Sequence, residues 1–251
     1  MNDVLLFAGA AFLGILVQSF VGFGGALLTL LLSPRLAVPT YCLLMVIVQL
    51  VLMLEARRHI RWPRVGLLLI GGLTGGAIGA CGLAKLPTNW IAIAISAITL
   101  SFACLFLFRV RLRLKENVAS HVCVGFLGGL LGGSTSQSGP PVVLFGLARG
   151  WAKDSFRATL IAYFFFLSLG LTVLYLCLGL TGKKNLTMCA LSLPLAFLAA
   201  MLGVFIKRRA SEGVYRYAVL GVIILVSLTG LVMRSLALAG VGPVALKVSS
   251  Q

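Results

Sequence analysis

Eight stretches of this chain carry no formally charged side chain: Val4–Pro34, Leu36–Leu54, Val65–Ala84, Leu86–Phe108, Asn117–Ala148, Ala158–Gly182, Asn185–Ile206 and Tyr217–Met233. Most reach or exceed the roughly 20 residues with which an α-helix crosses a hydrocarbon core. The loops between them are short and leave no room for a water-exposed domain. The expected fold is therefore an all-α polytopic membrane protein with eight membrane-embedded segments in one integrated domain. The N-terminus has no basic n-region, and its first apolar stretch is too long for the h-region of a cleavable signal.

One of these stretches contains a helix-breaking polar run. Gly132-Gly133-Ser134-Thr135-Ser136-Gln137-Ser138-Gly139-Pro140-Pro141 lies in the middle of 32 residues without formal charge. Unpaired backbone groups at membrane depth are tolerated only where protein or a water-filled cavity surrounds them. In transporters, interrupted helices of this kind hold the substrate. A weaker counterpart, Gln18-Ser19 followed by Gly22-Phe23-Gly24-Gly25, interrupts the first stretch.

The two interruptions suggest a duplicated chain, with halves 1–115 and 116–251 meeting near Lys115. Each half opens with a broken segment, resumes a short helix, passes an Arg-bearing loop and reaches a similar entry, Ala37-Val38-Pro39-Thr40 or Phe156-Arg157-Ala158-Thr159. Three further apolar segments follow in each. Thr40 and Thr159 are expected to cap their helices.

The charges test the orientation of the halves. The net charge of +16 places Lys and Arg in loops, where they orient the chain by the positive-inside rule rather than bind nucleic acid. If all eight segments cross, with the N-terminus inside, the basic residues divide 12 inside to 9 outside. If each broken segment is a re-entrant hairpin, they divide 15 to 6. The second division fits the rule better. It makes the halves inverted relative to one another, with two hairpin tips facing each other near the midplane.

Every carboxylate (Asp3, Glu55, Glu116, Asp154, Glu212) sits at a segment end, and His59 and His121 lie at or near loops. The six cysteines are scattered singly, without metal or redox spacing. No metal and no cofactor is expected. A neutral site rich in hydroxyls and amides suits an anion, because a half-helix presents free N–H groups and the positive end of its dipole. The candidate substrate-binding residues are Gln18, Ser19, Gly24 and Gly25 in the first half. In the second they are Ser134, Thr135, Ser136, Gln137, Ser138 and Gly139, with Arg157 just outside. Arg35 and Arg157 either draw in an anion or mark the interface. Gln49 is expected to make an interhelical hydrogen bond. The stripes Gly71, Gly72, Gly75, Gly76, Gly79 and Gly125, Gly128, Gly129, Gly132, Gly133 have small-xxx-small spacing and let helices approach closely.

In these glycine-rich breaks and the entries that follow them, the chain resembles the TauE/SafE family of sulfite exporters and organosulfonate permeases, over about residues 4 to 235. It departs from the family pattern where Phe23 interrupts the glycines and Tyr41 follows Thr40. The resemblance implies a multi-pass protein of the bacterial cytoplasmic membrane that moves a small sulfur-containing or organic anion. The partners are then that anion and the lipid bilayer; no motif specifies an oligomeric state. Two other readings compete. A serine protease using Ser136 or Ser138 lacks a histidine or lysine positioned as base. A non-transporting membrane partner or assembly protein leaves the repeated polar breaks unexplained.

Overall fold

The computed structural model describes residues 7–9, 11–16, 34–85, 116–136 and 138–209. The first break (Gln18, Ser19, Gly24, Gly25), Gln137 and the fourth and eighth apolar stretches lie outside the described residues. The described elements are helical: α1 (Pro34–Ala56), α2 (Trp62–Lys85), α3 (Val118–Thr135), α4 (Gly139–Ala148), α5 (Lys153–Cys177) and α6 (Lys183–Arg209). A 3-10 turn, Arg57–His59, joins α1 to α2. A short apolar helix, Phe7–Leu16, precedes them. All but α4 of the labelled helices are long and apolar enough to cross a membrane. This is a multi-pass membrane protein.

Side-chain contacts fix how the helices run. Arg157, near the start of α5, pairs with Glu55, near the end of α1, at 3.1 Å. The two helices are therefore antiparallel. Asn185 Nδ2, near the start of α6, donates to Thr40 Oγ1 and to the Leu36 carbonyl at 2.8 and 3.2 Å, so α6 runs parallel to α1. The Tyr163 and Tyr175 hydroxyls on α5 donate to the Gly125 and Gly133 carbonyls of α3 at 3.2 and 2.6 Å. That order makes α3 and α5 parallel.

The closest seam is between α2 and α3, also parallel. A Cβ added at Gly71, Gly75 or Gly79 would overlap the carbonyl oxygen of Val122, Phe126 or Leu130. In return, Gly125, Gly129 and Gly133 press on the carbonyls of Leu68, Gly72 and Gly76. Lipid provides no hydrophobic drive between helices, so van der Waals contact of bare backbone holds such a pair together. Weak Cα–H···O contacts add to it. The two glycine stripes of the sequence meet here face to face.

The polar run ends α3 later than its glycines suggest. Gly132 and Gly133 remain helical, and the helix stops at Ser136, which is left-handed at φ 59° and donates its N–H to the Gly132 carbonyl at 2.9 Å. At the other end, Asn117 Oδ1 caps α3 by accepting the Ser120 N–H at 2.8 Å.

After Ser138 the chain reverses. Ser138 lies against Gly132 and Val142 of α4 against Gly128, while Phe145 meets His121 edge-on at 5.0 Å. Beyond α4, Trp151 stacks on the same imidazole at 6.2 Å. Thus α4 runs back along α3, and its ten residues extend only about 15 Å. The broken segment is a hairpin whose two ends lie together.

Two ends of the bundle emerge. At one, Arg64 pairs with Glu116 at 2.8 Å and lies 4.5 Å over the Trp151 ring, and the Arg61 N–H approaches Thr159 Oγ1 at 3.4 Å. The connection at 57–61, the start of α2, and the loops at 116–117 and 149–152 are thereby gathered. At the other end, Arg35 donates to the Leu83 and Ala84 carbonyls, both at 3.3 Å, next to the start of α6. Thr40 and Thr159 are not caps. Each is the seventh residue of its helix, and Thr40 bonds the Leu36 carbonyl at 2.7 Å.

Candidate functional site

The hairpin tip leaves a buried hydroxyl, that of Ser136, without a conventional partner among the described residues. Gly133 packs against Ala80 of α2 and receives the Tyr175 hydroxyl of α5. Both partners lie in the last third of their helices. The tip is therefore past the halfway point of α2 and α5, towards the end that carries Arg35 and Lys85.

The hydroxyls of the run differ in what they offer. Ser134 Oγ donates to the Leu130 carbonyl and Thr135 Oγ1 to the Leu131 carbonyl, both at 2.8 Å. Their protons are thus engaged by α3 itself. Ser136 is different: among the described residues its buried Oγ has no oxygen or nitrogen partner, and its O–H faces the Cys42 sulfur of α1, a weak acceptor. Ser138 occupies the N-cap position of α4 but makes no side-chain capping bond. Pro140 and Pro141 lack N–H groups, so the first turn of α4 offers the Gly139 amide with little beside it. The positive end of the α4 dipole is present, but its usual set of donors is depleted.

Further unmatched oxygens lie on the helices that flank the tip. Gln49 Oε1 on α1 and Thr172 Oγ1 on α5 are buried and have no hydrogen-bond partner among the described residues. Gln49 is 2% exposed. It stands seven residues from Cys42, hence on the same helix face and about 10 Å away. Thr172 is one turn before Tyr175. The interhelical bond expected of Gln49 is not made through its carbonyl oxygen. Ser192 Oγ on α6 is likewise buried and unmatched, on a helix that packs with α1 and Phe7–Leu16. Buried polar groups are ordinarily satisfied, so such a set needs an explanation in water, ion or ligand.

Arg157 does not join the tip. Leu167, which packs beside Gly132, is ten residues further along α5, roughly 15 Å at the helical rise. Arg157 is 1% exposed and bound to Glu55, away from the break. Arg35 is engaged with the last carbonyls of α2.

Cys42 and Thr172 are not recognisable as site residues from the sequence. Single Cys and Thr residues are common in apolar helices, and nothing local distinguishes these two. Gln49 carried a signal, as an amide alone in an uncharged stretch.

Chemically, the tip combines neutral donors with a helix-dipole end and no formal charge. Such a surface can replace part of the hydration of a small oxyanion without holding it tightly. The family model described as "Sulfite exporter TauE/SafE" matches residues 6–230. No curated protein and no solved structure matches the chain.

Proposed function

The chain belongs to the TauE/SafE sulfite exporter family, and from that premise we propose that it carries a small sulfur-containing or organic anion, of the sulfite or organosulfonate class, across the bacterial cytoplasmic membrane by secondary transport. The observation that carries this reading is the buried Ser136 hydroxyl, which has only a thiol beside it among the described residues, at the point where α3 stops and α4 turns back. Ser138, the Gly139 amide and Thr172 are the groups we assign beside it. On the family likeness, export is the direction.

The same contacts favour an inverted pair of halves, 1–115 and 116–251. The start of α6 binds Thr40 of α1, and the approach to α2 binds Thr159 of α5. Each half thus lends its second long helix to the other's first, as a pseudo-two-fold axis in the membrane plane requires. The hairpin also supports the division of basic residues as 15 to 6. A cysteine placed at Lys184 should then react with an impermeant reagent from the side opposite to one placed at Arg61, in a background without native cysteines. Labelling of both from one side would refute this topology.

Ser136→Gly tests the site cleanly. Glycine keeps the left-handed backbone at no steric cost and deletes only the hydroxyl. In proteoliposomes, flux of labelled sulfite or of a sulfonate should fall about tenfold, the size of a lost hydrogen bond to a charged ligand, while thermal stability is unchanged or raised. Undiminished flux would remove Ser136 from the site. A scaffold protein would show no ligand-induced stabilisation in either form.

A further inference from the structure

The open end of the hairpin holds a buried titratable group that anion binding at the tip does not use. His121, in the first turn of α3, is 4% exposed. Its Nδ1 lies 2.9 Å from the Asn117 carbonyl oxygen. A carbonyl only accepts, so Nδ1 carries the hydrogen in the neutral ring and Nε2 is the lone pair. That Nε2 is buried, has no hydrogen-bond partner among the described residues, and sits 3.9 Å from Glu116 Oε1. A lone pair facing a carboxylate oxygen is mismatched, and one added proton converts the mismatch into an ion pair.

We propose that His121 is a proton-binding site through which pH controls how the hairpin is fastened at its open end. The step is simple: a proton from water adds to the Nε2 lone pair, and no other bond breaks. The new N–H turns to Glu116, whose same oxygen now holds Arg64 of α2 at 2.8 Å. Two cations then compete for one carboxylate. The groups that face the imidazole from α4 and the loop after it are the uncharged rings of Phe145 and Trp151; Arg149 and Lys153 flank Trp151 in sequence. Arg64 also lies over Trp151. Protonation therefore loosens Arg64 and changes the tie between α2 and the returning arm. The structural part stands by itself; its use in coupling a proton to transport rests on the function proposed above.

Trp151 reports on the site, because a charged imidazole stacked on indole quenches its emission. In full-length protein in nanodiscs, with Trp62→Phe and Trp90→Phe leaving Trp151, emission should fall about twofold when the medium is taken from about pH 8 to about pH 5. His121→Asn keeps a donor for the Asn117 carbonyl but cannot titrate, so it should abolish the change. Glu116→Gln removes the carboxylate that faces Nε2, so it should weaken the change. An unchanged response in His121→Asn, an unaltered one in Glu116→Gln, or a parent whose emission does not respond to acidification would each overturn the proposal. In proteoliposomes, the pH profile of sulfite flux should flatten in His121→Asn. Absence of flux in every variant, with the fluorescence titration intact, would defeat the transport reading and leave the proton site standing.

Discussion

Gly129→Ala should cost the protein its stable fold, whereas Gly66→Ala, on the neighbouring helix, should be silent or slightly stabilising. Both glycines are helical, and in a helix alone each exchange gains about 1 kcal/mol. What separates them is the space around an added methyl. At Gly66 nothing lies within 4 Å of it. At Gly129 it would overlap the Gly72 carbonyl oxygen, with the carbon and Cα of Gly72 directly behind. Those atoms are backbone and cannot rotate away; relief requires α2 and α3 to part. Overpacking of a tight interior costs about 1–3 kcal/mol even where side chains can give way, and here they cannot. The check is thermal unfolding of both variants in one detergent, read by the loss of monodisperse protein. Equal stability would mean that the two helices do not meet as described.

The second large effect concerns the Glu55–Arg157 pair, and it is asymmetric. Breaking a buried ion pair by removing one partner costs about 3–5 kcal/mol, chiefly because the remaining charge is left without compensation. Arg157 is almost wholly buried, while the Glu55 side chain is 32% exposed. Glu55→Ala therefore leaves the guanidinium buried without its carboxylate and should fall in that range. Arg157→Leu leaves a carboxylate that water can reach, and an apolar side chain in a packed site, so its cost should be clearly smaller. The ordering of the two melting temperatures is the test. A less stable Arg157→Leu would show that Arg157 matters through other contacts. Because the pair joins the end of α1 to the start of α5, loss of either partner should also reduce transport.

Much of the architecture was legible in the residues. Uncharged stretches mark helices because lipid forbids unpaired backbone, and glycine at every third or fourth position marks a face that another helix must touch. The run Ser134–Ser138 does contain the chain reversal. Its exact boundary was not legible. Gly132 and Gly133 read as breakers, yet close approach to α2 and α5 outweighs the modest helix cost of glycine, and α3 continues to Thr135. The roles of single polar residues were the least visible. Whether Ser134 turns its proton to Leu130, or whether Arg157 finds a carboxylate 102 positions away, depends on partners that local sequence does not name. Thr40 and Thr159 serve contacts with other elements rather than helix starts.

The six carbonyls interlocked with glycines between α2 and α3 have a mechanical consequence. Meshed teeth of backbone cannot slide past one another without first separating. The outgoing arm of the hairpin and α2 must therefore travel as one rigid plank, and any rocking that exposes the tip to alternate sides has to hinge elsewhere, at the thinner contacts made by α4 or across the boundary with α1 and α6.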